Sequence, residues 1–105
     1  MWRLIEMAKT EDEKLVDGLL GRWKVGTAYF VRTVTFHIIG RVVRVDGPFV
    51  YLSEACWIPN SGRFADFIAG KIEPEEVEPV GEWFFNENSV TDGCIWKHKI
   101  PRIQK

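Results

Sequence analysis

The stretch Tyr29-Phe30-Val31-Arg32-Thr33-Val34-Thr35-Phe36-His37-Ile38-Ile39-Gly40-Arg41-Val42-Val43-Arg44-Val45-Asp46-Gly47-Pro48-Phe49-Val50-Tyr51-Leu52 decides the fold class. Its residues are mostly β-branched or aromatic, which suits a pleated, half-buried surface. Gly40 allows a sharp bend, and the Asp46-Gly47 pair turns the chain back on itself as a hairpin. A bent meander of this kind in a short chain predicts a small, mainly β barrel.

At 105 residues the chain is read as one domain over 1–105, with one modest core. Five tryptophans and seven phenylalanines are more than a small barrel readily hides. Some are therefore expected at a subunit contact, although all of them packed inside or scattered singly on the surface is the plainer alternative. The net charge is −1, from 14 basic and 15 acidic residues, which disfavours a phosphate-backbone partner. Bases cluster only weakly at Lys97, Lys99, Arg102 and Lys105, opposed by Glu73, Glu75, Glu76, Glu78 and Glu82 with no base among them. That acidic block reads as a solvated loop, or as a charge-complementary contact with a neighbouring subunit.

Outside the hairpin the punctuation is readable. Residues 1–9 fit neither the helical nor the strand period. Thr10-Glu11-Asp12-Glu13 has the form of a capping box, and Leu15, Val16, Leu19, Leu20 and Trp23 make one apolar stripe, so a helix is expected over about 10–21. The barrel is expected over about 27–96. It is interrupted by a short helix capped by Ser61, carrying Phe64, Phe67 and Ile68 on one face and closed by Gly70. Residues 73–78 read as a loop with room for one extended piece. Trp83-Phe84-Phe85 and Val90 to Trp96 read as a final strand pair about the turn Asn86-Glu87-Asn88-Ser89. Residues 97–105 are expected to form an irregular tail.

This pattern resembles the Sm-like (LSm) small β-barrel, related in shape to SH3 barrels, over roughly Leu15 to Trp96. Gly40, Val42, Asp46, Phe49, Leu52 and Glu54-Ala55 are similar to the first Sm motif, one residue short between the turn and its leucine. Phe84-Phe85-Asn86-Glu87-Asn88-Ser89-Val90 stands where the second motif would be. The resemblance implies a bent five-stranded barrel with an N-terminal helix, assembled into a homo-oligomeric ring by pairing of its last two strands. The RNA-recognising positions of such rings are filled here by Val50 and Asn86-Glu87, and an acidic Glu87 would repel a phosphate. Arg32-Thr33-Val34-Thr35, Ala55-Cys56-Trp57-Ile58 and Gly62-Arg63-Phe64 also resemble a small bacterial or phage-encoded family to which no function attaches.

No catalytic set emerges. His37 and His98 have no nucleophile and orienting acid in a recognisable arrangement, and a strand histidine is more commonly structural. Cys56 and Cys94 have neither C-x-x-C spacing nor a histidine at ligand spacing, and they read as reduced apolar thiols, with a disulfide left open. No metal or cofactor is expected. Nothing in the sequence approaches a membrane-spanning length, and the early charges of the first residues do not fit a secretory signal, so the cytoplasm is the expected compartment.

The expected function is non-catalytic self-assembly into a ring, stacked in one version into a tube or particle. Its contact residues would be Phe84, Phe85, Ile95 and Trp96 on the edges, oriented by Arg32, Arg63 and Asp92. The alternative is an RNA- or nucleotide-binding ring that uses Arg41, Arg44, Lys97 and Lys99.

Overall fold

The computed structural model describes residues 22–105. The helix expected over about 10–21, and residues 1–9, lie outside them. Among the described residues the chain is mainly β: five antiparallel strands in one sheet and one short α-helix. The strands are β1 (Ala28–Thr33), β2 (His37–Asp46), β3 (Phe49–Asn60), β4 (Glu76–Asn86) and β5 (Val90–Ile95). Their order across the sheet is β4-β3-β2-β1-β5, which leaves β4 and β5 as the edges.

The long β-forming run turns earlier than Gly40. Thr33 donates its hydroxyl to the Phe36 carbonyl at 3.0 Å, while its oxygen accepts from the Phe36 amide at 3.0 Å and the Thr35 amide at 3.2 Å. The Thr33 amide also donates to the Phe36 carbonyl at 2.8 Å. A threonine side chain that satisfies the backbone locally ends a strand without glycine or proline. Gly40 lies inside β2, where an added Cβ would meet the Leu52 side chain at 2.8 Å. The β2–β3 register slips on either side of this region, between Ile39 and Arg41 and between Val42 and Arg44, so β2 bends by bulging. Glu54 takes a positive φ of 56° where β3 and β4 also slip register, a conformation uncommon outside glycine.

The strands bury side chains on both faces. Along β1, Tyr29 and Val31 join Trp23, Ile38, Val42, Val50, Leu52, Ala55 and Phe85 in one apolar layer. Ala28 and Phe30 alternate to the other face, among Ile39, Cys56, Ile58, Phe67, Val77, Trp96 and Ile100. Two-sided burial explains why β1 opens with four consecutive apolar residues, Ala28 to Val31, rather than alternating. It also accounts for much of the aromatic content: Trp23, Tyr29, Phe30, Phe67, Phe85 and Trp96 are all buried within the chain.

The second layer is roofed by the helix and the tail. The helix, α1 (Phe64–Ile68), is capped at Arg63 rather than Ser61, without a side-chain cap bond. It ends as Gly70 predicts: the Lys71 amide donates to the Asp66 carbonyl and the Gly70 amide to the Phe67 carbonyl, with Gly70 at φ +77°. This is the Schellman pattern, which requires a left-handed residue. The extended piece within the acidic segment is the start of β4, which begins at Glu76 and includes Pro79. A proline without an N–H is tolerated there because β4 is an edge.

Candidate assembly surface

The two edge strands are joined by a single 3-10 turn, Glu87–Ser89. That turn is tightly held. The Asn86 side chain accepts from the Asn88 amide at 2.8 Å, and the Glu87 amide donates to the Pro48 carbonyl at 2.7 Å. The Trp23 indole N–H donates to Glu87 Oε1 at 2.7 Å, while its ring packs edge-on against Tyr29 and Phe85. Both edges are thus fixed to the inner layer by one short link.

Alternation along β4 sorts its aromatics. Phe85 faces the inner layer at 4% exposure, opposite Val50. Phe84 faces out at 56% exposure and packs on Tyr51 and Phe49. Trp96 is likewise interior, 7% exposed and stacked against Phe67 at 4.9 Å between ring centroids. Of the four apolar residues expected on the edges, Phe84 and Ile95 are therefore surface residues. Phe85 and Trp96 are core residues and unavailable to a second molecule while the chain stays folded. Trp83 and Phe49, which were not singled out, are also more than one third exposed, and Trp83 borders an apolar cavity of about 260 Å³ with Phe36, Ile38, Trp57 and Val80.

The charged residues divide similarly. Arg32 and Asp92 are cross-strand neighbours on β1 and β5. Arg32 Nε donates to Asp92 Oδ1 at 2.7 Å and Nη2 to Oδ2 at 2.6 Å, a bidentate pair. The same guanidinium lies 4.6 Å from the centre of the Phe64 ring. These hydrogen bonds hold the Asp92 carboxyl below its ordinary range and raise Arg32. His37, the β2 partner of Arg32, is lowered by burial and then by the guanidinium charge. Arg63 is exposed at the start of α1 and has no carboxylate within ion-pair distance among the described residues.

The alternative cations do not converge on one surface. Arg41 bonds Glu54 at 2.9 Å and the Gly26 carbonyl at 3.0 Å. Arg44 lies over the Tyr51 ring at 4.0 Å, with Asp46 at 3.9 Å. Lys99 lines a different cavity from Arg44, and Lys97 is simply exposed.

Both cysteines are free thiols. Burial pushes the Cys56 thiol up to about 12, while Cys94 is on the exposed β5 edge, raised by its surroundings and by the charge of Asp92. Among the described residues no three His, Cys, Asp or Glu side chains gather as a metal site would require. No helix there is long and apolar enough to cross a membrane. No protein-family model and no curated protein matches this sequence.

Proposed function

We propose that the chain is an Sm-like, SH3-shaped small barrel that works as a non-catalytic building block, closing into a homo-oligomeric ring. The observation that carries this reading is the pair of edge strands, β4 with Phe84 outward beyond the stretch that the tail covers at Val77, and β5 with Ile95 outward. Exposed apolar edges favour strand addition from another chain. The strand order β4-β3-β2-β1-β5, with its edges linked by a 3-10 turn, supports the barrel assignment.

Charge favours pairing β4 of one copy with β5 of the next over pairing two β4 edges. Antiparallel self-pairing about Val80 would set Glu78 against Glu82 of the second copy, and like charges directly opposite are destabilising. Beyond β5 the chain instead carries Lys97 and Lys99. Pro79 offers no N–H and removes one ladder donor, which favours pairing along the half of β4 that holds Phe84. The contact set is then Phe84 and Ile95, with Arg32 and Asp92 fixing the β5 edge. Heterologous contacts of this kind close into rings or run on as filaments. The nucleic-acid alternative has less support, since Arg41 and Arg44 already face Glu54 and Asp46.

Light scattering on nuclease-treated protein across a wide concentration range tests the proposal. One closed oligomer is expected for the wild type. Phe84→Glu is expected to give folded smaller species, with stability changed by roughly 0.5 kcal/mol or less, as is usual for surface substitutions. Phe85→Glu is expected to unfold the chain by burying a carboxylate. A wild-type monomer at all concentrations, or an oligomer that dissolves on nuclease treatment, rejects the ring.

A further inference from the structure

The tail crosses the outer apolar layer as a fitted strap. Trp96 Nε1 donates to the Lys99 carbonyl at 3.2 Å, and Ile100 is buried. His98 Nε2 lies 2.9 Å from the Ile68 carbonyl, which can only accept, so that nitrogen carries the hydrogen. Arg102 reaches Glu54 at 3.8 Å, and Lys105 and Val77 exchange backbone hydrogen bonds of 3.0 and 3.2 Å. Between this strap and the segment 70–74 lies a cavity of about 640 Å³.

The composition of that cavity is unlike the rest of the chain. Its apolar lining includes Ile72, Val77, Trp96, Ile100 and Ile103. Lys71, Lys99, Arg102 and Lys105 also line it, against a single acid, Glu73. A four-to-one excess of cations in a chain of net charge −1 is a local arrangement, not general basicity. Glu73 answers Lys105 at 3.5 Å, and Arg102 shares Glu54 with Arg41. Lys71 and Lys99 have no carboxylate within ion-pair distance among the described residues. One wall is preformed: an added Cβ on Gly70 would lie 2.6 Å from the His98 ring, so that turn and the strap are pressed together.

We propose that this cavity is a binding site for an amphipathic organic anion, a carboxylate or phosphate head on an apolar body. Its volume falls in the range of small-molecule sites. An inorganic anion would leave Ile72 and Ile103 uncovered, and a neutral hydrocarbon would leave the ammonium groups of Lys71 and Lys99 unanswered. An anion carrying an apolar body satisfies both. The site lies over the outer layer, between the tail and the segment 70–74.

Calorimetric titration of the full chain with decanoate, decanol and acetate tests it, with the Trp96 indole proton followed by NMR. Decanoate is expected to bind saturably and shift that resonance, with decanol weaker by about tenfold or more, the scale of one charge-assisted hydrogen bond. Acetate should be weaker by at least as much, because it lacks the apolar body to bury. The exposed double variant Lys71→Glu/Lys99→Glu should lose a similar factor while keeping its far-UV circular dichroism. Ile103→Asp should weaken decanoate without affecting the fold. Equal binding of decanoate and decanol, an unchanged affinity in the charge variant, or no saturable binding overturns the proposal. Cosedimentation with phosphatidylglycerol vesicles without uptake of free decanoate would assign the lysines to a membrane surface and overturn it as well.

Discussion

Arg32 holds Asp92 by two hydrogen bonds across the border of β1 and β5, with His37 as its register partner on β2. The two titrating neighbours are both shifted down, Asp92 from 3.8 and His37 from 6.5. A carboxylate whose folded value is depressed adds stability above its unfolded value and loses it as pH falls through the folded one. His37 acts in the same direction from a different cause. Its neutral form is favoured in the folded chain, so acidification through the region below 6.5 charges the unfolded chain first and weakens the fold. Both groups therefore make the chain less stable in acid, His37 at the higher pH. Arg32→Met is expected to return Asp92 toward its ordinary range and to raise His37, checked by NMR titration of the two side chains. Unmoved values would show that the guanidinium does not set them.

Glycine decides how closely β1 and β5 approach. An added Cβ at Gly93 would lie 2.6 Å from the Phe30 carbonyl oxygen, a backbone atom with no freedom to retreat. Gly93→Ala is expected to cost about 1–3 kcal/mol, the range for overpacking. It should also raise amide exchange along β5 before the other strands, measured by hydrogen exchange. Gly47, with open space around it, still needs its positive φ for the hairpin turn. Some elements were plain in the sequence for local reasons: the Asp46-Gly47 turn, the Gly70 stop, and the quartet between β4 and β5 are set by residues that dictate their own backbone. The turn at Thr33 was not, because a hydroxyl closing a turn looks like one more β-branched strand residue. The same limit applies to the site. Alternation says that Phe84 and Phe85 face opposite ways, but not which way is out, and that depends on where Trp23 and Val50 lie. Trp96 was hidden for a related reason, since only the packing of α1 and the tail gives β1 a second buried face.

At the scale of the whole molecule, the tail ties one edge of the sheet to the other. It leaves β5 at Trp96, passes Ile100 through the outer layer, and meets β4 at Val77. Ile100→Ala is expected to cost about 2–5 kcal/mol, as for other buried aliphatic truncations. Thermal denaturation should show it as a single lowered transition. A lost tail with an unchanged sheet transition would show instead that the strap is an independent flap. The acidic and basic segments at the end of the chain also meet within one molecule, through Glu73 and Lys105, so part of their complementarity is satisfied without a neighbour.

The bond between Trp23 and Glu87 gives the chain a native optical gauge. The indole sits in the inner layer, and its N–H is tethered to the turn from which both edges depart. A strand docking beside that turn is expected to shift it, and an indole whose acceptor moves changes its emission. With Trp2, Trp57 and Trp83 replaced by phenylalanine, Trp23 and Trp96 alone remain, and the change in emission lost on Glu87→Gln is the part that registers edge occupancy in an unlabelled protein.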